Sequence, residues 1–253
     1  MAHAVVHFEI DAADEGSLVA FYEAMFDWTL QASGGGRTTI DTHAGGINGG
    51  IGKSLTGAAW SSFCVETDDP QATLDKAVSL GSTTIMPVTD LDGATTMAMF
   101  RDLDGLPVGL VQAPDTQSQV KAKTANAAVE WFEVMGSDAT RTQDFYSELF
   151  GWTIDRGFPG YGVVDTGGAR GIQGGIGGGV ETRWSLVYAG VPDVDDTMRR
   201  AQTYGASPIE APDVVALKYA ARVALYGAAD DVRTGVFRDP AGNIFGVFHK
   251  DIG

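Results

Sequence analysis

Six side chains have types and spacings that could do chemistry. His7 and Glu9 lie two apart in Val5-Val6-His7-Phe8-Glu9-Ile10, a run rich in strand formers. The two-residue period of a strand puts both on one face, where an imidazole beside a carboxylate could form part of a site. Glu133 holds the matching place in Glu130-Trp131-Phe132-Glu133-Val134. Carboxylates are rarely buried alone, so the bland reading pairs each glutamate with an arginine or a backbone donor. The functional reading is an acid with a raised pKa. Trp60, Trp131 and Trp184 are large apolar surfaces that either fill a core or stack against an aromatic ligand.

Other candidates carry less. Cys64, the single cysteine, lies in the apolar run Phe63-Cys64-Val65, so it reads as a small core residue and allows no intramolecular disulfide. The glycine run 174–179 lacks the strand–loop–helix context and the downstream lysine of a phosphate loop. His3, His43 and His249 fall at termini or in loops and are expected to face solvent. No Ser/His/Asp triad follows from spacing.

An internal repeat sets the elements that must position these groups. Phe21-Tyr22 recurs as Phe145-Tyr146, and Phe26-Asp27-Trp28 as Phe150-Gly151-Trp152, both 124 residues on. Trp60 recurs as Trp184 and Gly81 as Gly205, again at 124. The turn Arg101-Asp102-Leu103-Asp104-Gly105 recurs as Arg238-Asp239-Pro240-Ala241-Gly242 at a spacing of 137. The extra residues lie between Pro212 and Phe237. This period is far too long for a solenoid, so the chain is a duplicated domain. The copies span 1–114 and 127–253, with a polar linker at 115–126 and an insertion at about 213–233. That insertion is apolar, with Lys218 and Arg222 four apart, and suggests a helical lid or arm or simply a longer loop.

Within a copy, Val5 to Ile10 reads as a strand. Asp14 caps a helix carrying Leu18, Phe21, Tyr22, Met25 and Phe26. Asp69-Pro70 opens a second helix that ends at Gly81. Ala59 to Glu66, Thr83 to Val88, Thr95 to Arg101 and Pro107 to Gln112 are β-runs, the last two joined as a hairpin. Each copy is thus two βαβββ units, an α+β class.

Composition narrows the function. The chain has 253 residues and a net charge of −16, which disfavours nucleic acid and anionic membranes as partners. No segment suits a signal peptide or a membrane span, so a cytoplasmic protein is expected. Glycine, 34 residues, is in excess and reads as turns and tightly packed strands.

Together these motifs resemble the vicinal oxygen chelate superfamily, which includes glyoxalase I, bleomycin-resistance proteins and extradiol dioxygenases. The resemblance implies two tandem glyoxalase-like domains, each a cupped mixed sheet around a cavity. In the family's enzymes the cavity holds a divalent metal, ligated from the first strand, the strand before the second helix, and the last strand. Those positions correspond here to His7, Trp60 and Gly109 in copy one and to Trp131, Trp184 and Gly246 in copy two. His7 alone has a ligating side chain. No cofactor is therefore expected, and a divalent metal is disfavoured.

The resemblance also turns Glu9 and Glu133 toward the cavity, with Trp60, Trp131 and Trp184 as cavity walls. Copy two adds Tyr161, Tyr188, Tyr219 and Tyr226. The expected function is a small-molecule-binding protein for an apolar or aromatic ligand, acting as monomer or homodimer. One alternative is a lyase or dioxygenase-like enzyme with a non-standard site built on His7, Glu9 or Glu133. Another is a non-catalytic interaction protein.

Overall fold

The structure is a computed structural model that describes residues 3–34, 36–91, 93–112, 127–168, 170–209 and 233–249. The linker and almost all of the insertion, with Tyr219 and Tyr226, lie outside the described residues.

The alternating run at the start forms β1 (Val5–Ala12), and Asp14 then caps α1 (Glu15–Met25) by accepting from the Gly16 N–H. Strands β2 (Thr29–Gly34), β3 (Arg37–Asp41) and β4 (Asn48–Lys53) complete the first βαβββ unit. The second unit contains β5 (Trp60–Glu66), α2 (Pro70–Ser79), β6 (Thr83–Asp90), β7 (Thr96–Arg101) and β8 (Pro107–Gln112). Asp69 caps α2 with proline at the first helical turn. Gly81, at φ +104°, follows its end as the left-handed residue a helix stop requires.

Copy two repeats this plan. It has β9 (Val129–Gly136), α3 (Ala139–Phe150), β10 (Thr153–Phe158), β11 (Tyr161–Asp165) and β12 (Gln173–Gly178). Then come β13 (Trp184–Gly190), α4 (Val194–Thr203), β14 (Ser207–Pro208), β15 (Arg233–Arg238) and β16 (Ile244–His249). The glycine run 174–179 is therefore mostly strand β12, as its missing phosphate-loop context predicts.

Two eight-stranded mixed sheets result, ordered β2-β3-β4-β1-β5-β8-β7-β6 and β10-β11-β12-β9-β13-β16-β15-β14. The same order in both is the structural form of the sequence repeat. Among the described residues no helix is long and apolar enough to cross a membrane.

Packing cuts across the copies. One compact unit comprises Met1–His7, Ser62–Gln119 and Phe132–Ser185; the other comprises Phe8–Ser61, Val120–Trp131 and Leu186–Gly253. Each holds one half of each copy. In the first unit, Phe63 of copy one packs on Phe132 of copy two at 4.7 Å between ring centres, and Phe100 meets Phe145 edge-on. Tyr146 donates from its hydroxyl to Asp102 Oδ2 at 2.9 Å, and the Lys76 ammonium donates to the Leu149 carbonyl at the end of α3.

The second unit has the same contacts with the copies exchanged. Phe8 of copy one meets Phe245 of copy two, and Phe21 meets Phe237. Tyr22 donates to Asp239 Oδ2 at 3.3 Å, and Arg200 donates to the Met25 carbonyl at the end of α1. Burial raises the pKa of Asp102 and Asp239 even though each carboxylate accepts backbone N–H groups of its own hairpin turn. Burial likewise pushes the hydroxyls of Tyr22 and Tyr146 well above the usual tyrosine value.

The expectations for two histidines change. His3 and His249 do not simply face solvent: their Nδ1 atoms lie 2.9 and 2.8 Å from the Phe150 and Val191 carbonyls. His249 is the last residue of β16 rather than of a loop. His43 is exposed, near Asp41. Cys64 is fully buried with Met97 and Val111. Trp28 and Trp152 are buried and donate their ring N–H groups to the Ala127 and His3 carbonyls, which suits a structural role.

Candidate functional site

On copy one the group lies within the second compact unit. Glu9 and Asp11 stand two apart on β1, and both are buried at 3% exposure. Strand alternation therefore places them on one face, with Phe8 and Ile10 on the other. Arg37 of β3 forms an ion pair with Glu9, so the arginine-pairing expectation for Glu9 describes this contact. The Arg37 side chain is 40% exposed and the Glu9 side chain 4%.

Glycine makes the room. In the β3–β4 register Arg37 stands opposite Gly52, and Thr39 opposite Gly50. A Cβ on Gly52 would lie 2.8 Å from both Arg37 Nη1 and Asp11 Oδ1. One on Gly50 would lie 3.1 Å from Glu9 Oε2. Just before them Gly49 faces the other way, where a Cβ would overlap the Phe8 ring. Glycine here serves strand packing more than turning, with charged groups over one face and an aromatic core on the other.

Asp11 is the perturbed group. Burial raises its pKa to about 7 and Glu9 adds repulsion. Arg37 and the Gly52 N–H pull it down, while Glu15 pushes it further up. Asp11 Oδ1 has no hydrogen-bond partner among the described residues. The sequence reading passed over Asp11, although it continues the alternation His7, Glu9, Asp11. It also passed over Arg37, whose role only the fold reveals.

Copy two occupies the corresponding positions with other chemistry, in the first compact unit. Tyr161 replaces Arg37 and Met135 replaces Asp11, each 124 residues on. Glu133, 2% exposed, accepts from the Tyr161 hydroxyl on Oε1 and from the Trp184 ring N–H on Oε2, each at 3.1 Å. Both of these partners are neutral side chains. Gly175 and Gly177 of β12 give Tyr161 its space, as Gly50 and Gly52 do for the charged group.

The six expected residues separate accordingly. Glu133 and Trp184 come together. Glu9 joins Arg37 and Asp11. His7 shares β1 with Glu9 and is half-buried. Trp60 is half-buried and donates its ring N–H to Ser54 Oγ at 3.1 Å. Trp131 is 3% exposed, and its ring N–H has no partner among the described residues.

The family's metal positions fit a three-ligand centre in neither copy. Gly109 pairs with Cys64 across β8 and β5, and a Cβ there would overlap the Cys64 sulfur. Gly246 pairs with Tyr188, and a Cβ would overlap its ring. A longer ligating side chain has no room at either place without repacking. Among the described residues no group of three or more His, Cys, Asp and Glu side chains gathers as a metal site.

Comparison with known proteins agrees with this architecture. No family model matches the chain. CFP32 of Mycobacterium bovis, provisionally named a glyoxylase, is 27% identical over 263 residues, covering 94% of this chain and 92% of that protein. The anthracycline biosynthesis protein DnrV of Streptomyces peucetius is 26% identical, covering 79% of this chain and 81% of its own. Among solved structures, the 2,3-dioxygenase LapB of Pseudomonas sp. KL28 superposes with a TM-score of 0.64 at 12% identity, over 99% of this chain and 94% of that one. The Mn(II)-bound glyoxalase of Novosphingobium aromaticivorans gives 0.65 at 12% identity, over 98% and 82%. These two structures share the fold, and the two sequence relatives share most of the length. With its repeated motifs and matching sheets, the chain has the fold of the vicinal oxygen chelate superfamily, in its tandem two-domain form.

Proposed function

We propose that the protein binds a small apolar or aromatic molecule without the superfamily's metal centre, and that copy one carries the binding site. One observation carries this reading: the corresponding positions of the two copies have diverged in accessibility. In copy two Glu133, Tyr161 and Trp184 are all at most 5% exposed. In copy one Arg37 reaches solvent and Trp60 is half-buried. Aromatic side chains close the copy-two set, whereas copy one keeps an indole and a guanidinium within a ligand's reach. The relative named for anthracycline biosynthesis supports an aromatic ligand.

A thermal-shift screen of planar aromatic compounds tests the reading, run in EDTA and again with Mn(II). A binder present at a hundred times its Kd adds about 2.7 kcal/mol, a rise of several degrees. The expected result is the same rise in EDTA as in Mn(II). Binding that requires the metal, or stoichiometric divalent metal in the purified protein, would overturn the metal-independent reading.

A further inference from the structure

Asp11 carries an obligation that the chain's described residues leave unmet. Its carboxyl takes the Gly52 N–H, yet Oδ1 is buried with no partner among the described residues. A buried acceptor left unpaired is costly, so such an oxygen points to a group supplied from outside. Glu15 Oε2, at the start of α1, is a second buried acceptor without a described partner. The charged groups acting on Asp11 are Glu9 on its own strand, Arg37 on β3 and Glu15 on α1.

We propose that Asp11 is a ligand-contacting proton acceptor in the copy-one site, and that the site takes a weakly acidic hydroxyl, phenolic or enolic, on an aromatic molecule. The proposal rests on the ligand-binding reading above. A cationic ligand group is disfavoured because Arg37 Nη1 borders the same Gly52 position as Asp11 Oδ1. A hydroxyl suits both neighbours. It donates to Asp11 Oδ1, and its oxygen can face the guanidinium. If the proton transfers, the ligand O–H bond breaks and an O–H bond forms on Asp11. The electron pair stays on the ligand oxygen, whose negative charge Arg37 then stabilises. An Asp11 value near neutrality brings donor and acceptor closer in acidity than an ordinary aspartate would.

The probes are 1,2-dihydroxyanthraquinone and its dimethyl ether, which has no proton to give. Wild-type protein is expected to bind the dihydroxy compound about tenfold or more tightly than the ether. The visible spectrum of the bound dye should shift toward its ionised form. Asp11→Asn, checked for folding by its melting curve, should abolish both the preference and the spectral shift while still binding the ether; Asp11→Ser is the second replacement. If wild type binds both probes equally, or the preference survives in the folded variants, the role of Asp11 is overturned while ligand binding stands. If neither probe binds, both readings fail.

Discussion

Asp11 should leave a signature in stability as well as in binding. Its folded pKa, about 7, lies above its ordinary value of 3.8. For this group, stability is fully present below about pH 4 and declines as pH rises through 7, because the folded state must then bury a charge. The loss is at most on the order of 4 kcal/mol. Melting temperatures from pH 4 to 8 should fall for wild type relative to Asp11→Asn; parallel curves would show that Asp11 ionises normally. Glu133 behaves differently because its acceptors hold two buried donors. Glu133→Leu leaves the Tyr161 hydroxyl and the Trp184 N–H without that partner, and should cost roughly 2–6 kcal/mol in urea unfolding. Glu133→Gln keeps one acceptor and should cost about half as much.

At the scale of elements, the central strands are specified by what their glycines omit. On β8, Gly109 lies against Cys64, so Gly109→Ala should destabilise by about 1–3 kcal/mol through overpacking. Cys64→Ala frees the sulfur's volume, and the double variant should recover part of the loss. Additive effects in that cycle would refute the contact. The same crowding means that a carboxylate placed at position 109 would disturb the sheet. Helix starts are simpler: Asp138 accepts from the Arg141 N–H, and Asp138→Ala should cost about 1 kcal/mol.

For the whole molecule, the sheets run along each copy while the compact units combine halves of both. The aromatic face of β1 and α1 is completed by Phe237 and Phe245 of copy two. That of α3 and β9 is completed by Phe63 and Phe100 of copy one. A single copy therefore exposes both of its aromatic faces. Residues 1–118 expressed alone should aggregate, self-associate or stay molten, and mixing with 119–253 should restore a cooperative transition by circular dichroism. A stable, folded monomer of either half would contradict this.

Much of the fold was legible because local signals are strong. Asp14, Asp69 and Asp138 announced helix starts, alternation announced β1, and the 124-residue spacing announced the duplication. Glu9 and Glu133 could be recognised as a matched pair because period two and the repeat are both properties of the chain itself. Their partners could not. Arg37 lies 28 residues from Glu9, and Tyr161 the same distance from Glu133. Only the register of β3 on β4 and of β11 on β12 carries them over the glycines onto the carboxylates. Nor could spacing show which copy supplies each core, since duplicated halves can pack with their own copy or with the other. The sequence by itself determined the elements and their order. Tertiary structure alone decided the exchanged packing and the divergence of one ancestral pattern into a charged group and a neutral one, because burial, register and the space left by absent side chains exist only once the strands are assembled.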